Sequence, residues 1–95
     1  MLKVIATFIV DPEKLEEAIS FATELIELPR EELGCIQYAL LQAKEQENQL
    51  LIVESWDTQE NLDAHSASEH FTRIVPQFAA LCVEPPAIVG YKQLV

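Results

Sequence analysis

Residues 35–56 run Cys35-Ile36-Gln37-Tyr38-Ala39-Leu40-Leu41-Gln42-Ala43, then Lys44-Glu45-Gln46-Glu47-Asn48, then Gln49-Leu50-Leu51-Ile52-Val53-Glu54-Ser55-Trp56. Two apolar, strand-like runs flank a short polar turn, which is the signature of a β-hairpin with an ordinary loop. In the second run Leu50, Ile52, Glu54 and Trp56 share one face, and Leu51, Val53 and Ser55 share the other.

Toward the N-terminus, Leu2 to Val10 is another β-branched and aromatic run, with Val4, Ala6, Phe8 and Val10 on one face and Ile5, Thr7 and Ile9 on the other. Asp11-Pro12-Glu13 supplies an N-cap, a proline at the first helical position and an acidic first turn. Leu15, Ala18, Ile19, Ala22, Leu25 and Ile26 follow at helical spacing, opposite Glu16, Glu17, Ser20, Thr23, Glu24 and Glu27, and predict an amphipathic helix ending near Pro29. Beyond the hairpin, Asp57-Thr58-Gln59-Glu60 matches a capping box with Asp57 as the cap. The apolar stripe Phe71, Ile74, Val75, Phe78 and Cys82 extends that helical region, and Pro76 inside it predicts a kink or a restart, hence two helical pieces. Pro85-Pro86 ends the region, and Ile88 to Leu94 reads as a closing strand.

The order β-α-β-β-α-β is the ferredoxin-like α+β arrangement, an antiparallel sheet with its helices on one face, and residues 1–95 are expected to form one domain. The second sheet face should then be polar, yet Ile5, Ile9, Leu51 and Val53 are apolar. A second copy packed face to face is the simplest cover, so a homodimer through the sheet face is expected.

Composition narrows the partners. The 95-residue chain is 49% hydrophobic and carries 6 Lys+Arg against 16 Asp+Glu, a formal charge of −10. With only Lys3, Lys14, Arg30, Lys44, Arg73 and Lys92 to meet phosphates, nucleic acid and anionic membranes are disfavoured. No apolar run approaches the ~20 residues of a bilayer span, and Asp11-Pro12 follows the first run where a signal cleavage site would lie. A cytoplasmic protein is expected, with Cys35 and Cys82 as reduced, buried thiols.

Few reactive side chains interrupt the apolar pattern: Thr7, Tyr38, Glu54, Trp56, His65, His70 and Tyr91. A carboxylate at Glu54, in line with Leu50 and Ile52, is costly unless it is paired or lines a wet cavity, and it could equally bond a helix N-terminus or Arg73. Trp56 reads as core or as pocket wall. His65 and His70 are displaced by about 140° on an ideal helix, so no zinc pair is expected unless the helix breaks between them. His65 has the chemistry of a general base or a stabiliser of anionic charge, although from the residues alone a satisfied structural or surface histidine is the plainer reading. Tyr38 and Tyr91 read first as ordinary strand packing.

Taken together, Glu32-Leu33-Gly34-Cys35-Ile36-Gln37-Tyr38, Glu54-Ser55-Trp56 and Leu62-Asp63-Ala64-His65-Ser66-Ala67-Ser68-Glu69-His70-Phe71 resemble the antibiotic biosynthesis monooxygenase family, which includes quinol monooxygenase-like proteins. The likeness extends from Val4 to Tyr91, with Leu33 standing where the pattern usually has proline. It implies a dimeric α+β barrel with a pocket between sheet and helices in each subunit. It also implies oxygenation of a small quinol, phenol or anthrone by O2 without metal or flavin. Ground-state O2 is a triplet, so the deprotonated substrate supplies the electrons and the protein supplies a dry pocket, a base and charge stabilisation.

On that resemblance His65, Glu54 and Tyr38 are the candidate catalytic residues, with His65 as base or charge stabiliser and the other two as polar orienters. Trp56 and Phe71 are expected as pocket walls, His70 as a second polar group, and Thr7 and Arg73 as further substrate contacts. A haem-degrading subgroup has asparagine and histidine where Thr7 and Val75 stand, which weakens a haem reading. Two other functions stay open: an isomerase of a small phosphorylated metabolite, for which Arg73 and Lys92 are the available cations, and a non-catalytic dimer whose pocket only holds an apolar ligand.

Overall fold

The computed structural model describes residues 1–95. Four strands, β1 (Leu2–Ile9), β2 (Cys35–Gln42), β3 (Gln49–Trp56) and β4 (Ala87–Lys92), form one antiparallel sheet in the order β2-β3-β1-β4. Helices α1 (Leu15–Leu25), α2 (Glu27–Arg30), α3 (Gln59–Ser66) and α4 (Glu69–Ala79) complete a ferredoxin-like α+β fold. None of these helices is long and apolar enough to cross a membrane.

The period-two pattern of β1 sets the core. Ala6, Phe8, Val10 and Leu50 pack from the sheet side onto Ala18 and Ala22 of α1 and Phe78 of α4, and the rings of Phe8 and Phe78 meet edge to face with centroids 4.6 Å apart. The alanines let α1 approach the sheet closely. A smaller cluster of Ile26, Tyr38 and Trp56 lies toward the other end of the sheet.

Three local expectations are corrected. Asp11 caps a single 3-10 turn, Pro12–Lys14, before α1, and the helical path divides at Ile26 before α2. Pro29 lies within the first turn of α2, where its missing N–H costs nothing. The cap of α3 is Thr58, whose hydroxyl accepts from the Asn61 backbone N–H; Asp57 accepts from the Asn61 side chain at 2.8 Å instead. The break in the second helical region falls at Ala67-Ser68, and Pro76 sits inside α4. Ser68 is extended (φ −65°, ψ 149°) and its hydroxyl accepts from the Phe71 backbone N–H, so it restarts the helix. The carbonyl that Pro76 leaves unpaired belongs to exposed Thr72, where water can take the bond.

Facing away from the helices, Ala39, Val53, Ile5 and Val89 stand side by side across the four strands. No element of the chain covers them, and Leu41, Val89 and Tyr91 are 50%, 45% and 51% exposed.

Candidate active site

Between sheet and helices lies a cavity of about 230 Å³. Its floor is a row across the sheet, Tyr38, Glu54, Val4 and Gly90, with Ile52, Ala6 and Ile88 beside it. Leu25 and Ile26 of the first helical segment, His65 of α3 and His70, Phe71, Ile74 and Val75 of α4 form its walls. The lining is mostly apolar and contains no Lys or Arg.

His65 is the centre of the polar end, with only 3% of its surface exposed. Its ring packs against Trp56 (centroids 4.8 Å), Phe71 (4.9 Å) and Tyr38 (5.6 Å), which fix its plane. Nδ1 lies 2.7 Å from Oε2 of Glu32. A carboxylate only accepts, so Nδ1 carries the proton. Burial holds the His65 pKa below the ordinary histidine value even though the bond to Glu32 and its charge pull the other way, and His70 adds to the lowering. The neutral ring therefore presents an unprotonated Nε2, which is buried and has no hydrogen-bond partner. Glu54 Oε1 stands 3.7 Å from it.

Glu54, 4% exposed, accepts from the Trp56 indole N–H at 2.9 Å. Desolvation raises its pKa to about 7; the indole bond lowers it and the charge of Glu32 adds to the rise. Near neutral pH this carboxyl is divided between acid and carboxylate. Burial first, then the charges of Glu54 and Glu32, raise the pKa of the Tyr38 hydroxyl, which stays protonated and able to donate.

The break at Ser68 overturns the helical geometry that separated His65 from His70. His70 Nε2 reaches Oε1 of Glu32 at 2.6 Å, so one carboxylate spans both imidazoles. The Ser68 hydroxyl, donating to the His65 carbonyl at 2.6 Å and lying 3.3 Å from His70 Nε2, fixes the turn between them. Glu32, His65 and His70 each hold a ligand-type atom within 4.8 Å of the others. Separations of 2.6 and 2.7 Å are hydrogen-bond lengths, whereas two ligands on one tetrahedral zinc stand roughly 3.3 Å apart.

Of the candidate residues, the fold brings Tyr38, Glu54, His65, His70 and Phe71 to one cavity. Trp56 is fully buried behind His65 and is not part of the cavity wall; its N–H is committed to Glu54. Thr7 is on the sheet face away from the helices, because its neighbours Ala6 and Phe8 take the core side. Arg73 is exposed on α4 and does not reach the cavity or Glu54. The residue that sequence reading passed over is Glu32. It follows another glutamate, as a solvated loop acid does, and the sign of a special position is two residues later. Gly34 has φ +82°, and a Cβ there would collide with Asp57 and Asn61. Its carbonyl accepts from Asp57 N–H at 3.0 Å, pinning the loop that bears Glu32 against the start of α3.

Comparison with known proteins agrees with this architecture. The sequence profile of the antibiotic biosynthesis monooxygenase family matches residues 1–77. The Synechocystis protein sll1783 is 34% identical over 83 residues, which cover 87% of this chain and 56% of the relative, so the chain spans little more than half of that protein's length. Bacillus subtilis YcnE, whose name places it provisionally among monooxygenases, is 32% identical over 84% of each chain. A crystal structure described as an antibiotic biosynthesis monooxygenase superposes over 100% of both chains with a TM-score of 0.91 at 33% identity.

Proposed function

Since this chain belongs to the antibiotic biosynthesis monooxygenase family, we propose that it oxidises a small, neutral hydroxylated aromatic, such as a quinol or anthrone, with O2. The single observation that carries the reading is the lone pair on His65 Nε2, buried without a partner on the wall of an apolar cavity. A buried acceptor left unpaired is costly, and a weakly acidic O–H is its natural complement.

In this reading His65 removes the hydroxyl proton of a quinol, or of the enol form of an anthrone, and the resulting anion transfers an electron to O2. Radical recombination forms a carbon–oxygen bond and a peroxide, and loss of water leaves a carbonyl. For an anthrone, the methylene becomes C=O while O2 supplies that oxygen and the oxygen of water, so the substrate provides all the electrons. The imidazolium formed at His65 and the acid form of Glu54 stabilise the developing oxygen anion. Tyr38 donates a hydrogen bond from the cavity floor, and Phe71 and Ile74 shape the apolar wall.

The lining speaks against the phosphorylated substrate considered above. Its carboxylates are Glu54 and Asp63, and no Lys or Arg is present to hold a phosphate. The proposal includes a homodimer through the open sheet face, residues 1–95 acting as one such domain, and a reducing, cytoplasmic setting that suits two free thiols.

Oxygen uptake with reduced menadione or an anthrone tests the reading. His65→Ala is expected to lower kcat by about 10²–10⁴-fold, the usual contribution of a general base. Equal rates in the two proteins remove His65 from the mechanism, and thermal stabilisation by the aromatic without O2 consumption favours the non-catalytic binder.

A further inference from the structure

His65 is a useful base only in one tautomer. In the neutral ring either nitrogen can carry the proton, and the tautomer with hydrogen on Nε2 would turn the unpaired lone pair there into an N–H. Nothing at the Nε2 end selects either form, because Nε2 has no hydrogen-bond partner and Glu54 Oε1 is 3.7 Å away, outside hydrogen-bond reach. The constraint lies behind the ring, where Glu32 Oε2 receives the Nδ1 proton at 2.7 Å.

Glu32 is itself held. Its other oxygen lies 2.6 Å from His70 Nε2, so the carboxylate cannot swing away from His65 without giving up a second close polar contact. The Ser68 hydroxyl stands at the joint between the two histidines, and Gly34 pins the Glu32 loop to α3. Glu32 does not line the cavity, so it has no substrate to touch.

We propose that Glu32 is a positioning residue, braced by His70, that locks His65 in the tautomer with a free Nε2 and so creates the base. This rests on the reading of His65 as the base, and it adds a residue with no place in the cavity. A carboxylate behind an imidazole that faces the reacting group is the logic by which hydrolytic triads orient their histidine. It recurs here on an unrelated scaffold, with a second imidazole fastening the carboxylate.

The charge of Glu32 has a further effect. Around His65 stand Glu32 from the α2–β2 connection, Glu54 and Tyr38 from the sheet, and His70 from α4. Of these, Glu32 stabilises the imidazolium by hydrogen bond and charge, opposing burial. Without it His65 becomes a weaker base that stays neutral to lower pH.

The test compares wild type, Glu32→Ala and Glu32→Gln in the full chain. Two-bond ¹H–¹⁵N spectra report which ring nitrogen of His65 is protonated, whatever the enzyme's activity. Wild type is expected to show protonated Nδ1 and bare Nε2; Glu32→Ala is expected to lose that preference. Glu32→Gln, whose amide oxygen can still accept from Nδ1, is expected to keep it and serves where the alanine variant folds poorly. With a quinol substrate Glu32→Ala is expected to lose at least about tenfold in kcat with KM nearly constant. In both variants the acid limb of the kcat/KM profile moves to lower pH. An unchanged tautomer in Glu32→Ala overturns the proposal, whatever the acid limb does. A tautomer change in that variant, with no O2 uptake by wild type, upholds Glu32 as the orienter of His65 and removes only the oxygenase reading.

Discussion

Glu54 links stability to pH in a way that a single substitution exposes. Its folded pKa of about 7 stands above the ordinary 4.5, so folding favours the protonated form. The stabilisation attached to that proton is fully present below pH 4.5 and is lost as pH rises through 7, an effect on the order of 3 kcal/mol from the size of the shift. Glu54→Gln keeps an acceptor for the Trp56 indole and never ionises. It is therefore expected to match wild type near pH 4 and to exceed it in stability by up to about 3 kcal/mol at pH 8, as read from urea unfolding at the two values. His65 works in the opposite sense: its lowered pKa means that protonation below the usual histidine range weakens the fold. The sequence exposed Glu54 because an acid stood in an apolar row, and it exposed His65 through its motif. Glu32 left no such mark, since its role comes from contact with a histidine 33 positions away.

At the level of elements, the α3–α4 joint organises the site. Ser68 caps α4 through its hydroxyl, bonds the His65 carbonyl and approaches His70, so one side chain sets both helix geometry and histidine spacing. Ser68→Ala is expected to cost about 1 kcal/mol in urea unfolding, with a larger proportional loss of turnover as the two histidines lose their common placement on Glu32. The hairpin and the first helix were legible because alternation and 3.6-residue periodicity are local properties. The position of the break was not, because Pro76 is the stronger breaker on paper while its real cost depends on whether Thr72 can bond water. Likewise the Asp57 cap lost to Thr58: both can accept a backbone N–H, and the choice follows from where Gly34 fastens Asp57.

For the whole molecule the open sheet face is the dominant unsatisfied surface. Lys3 is the one formal charge on it, and its ammonium bonds the Ser55 hydroxyl at 2.8 Å, which in turn meets Gln37. Its middle is apolar, with Val53 between Ile5 and Ala39. Val53→Glu is expected to convert a dimer into the 10.7 kDa chain in sedimentation velocity at micromolar concentration; a wild-type monomer under the same conditions refutes the face-to-face pairing. Strand β4 connects that surface with the chemistry. Every one of its residues is exposed in the single chain, yet Ile88 and Gly90 line the cavity while Val89 and Tyr91 look the other way. The inner wall of the pocket is thus the back of a strand whose outer side waits for cover. If the proposed dimer forms, dilution that strips the second copy from β4 would loosen that wall, so turnover per chain should fall on dilution, and the concentration of half-maximal specific activity would report the dissociation constant of that dimer.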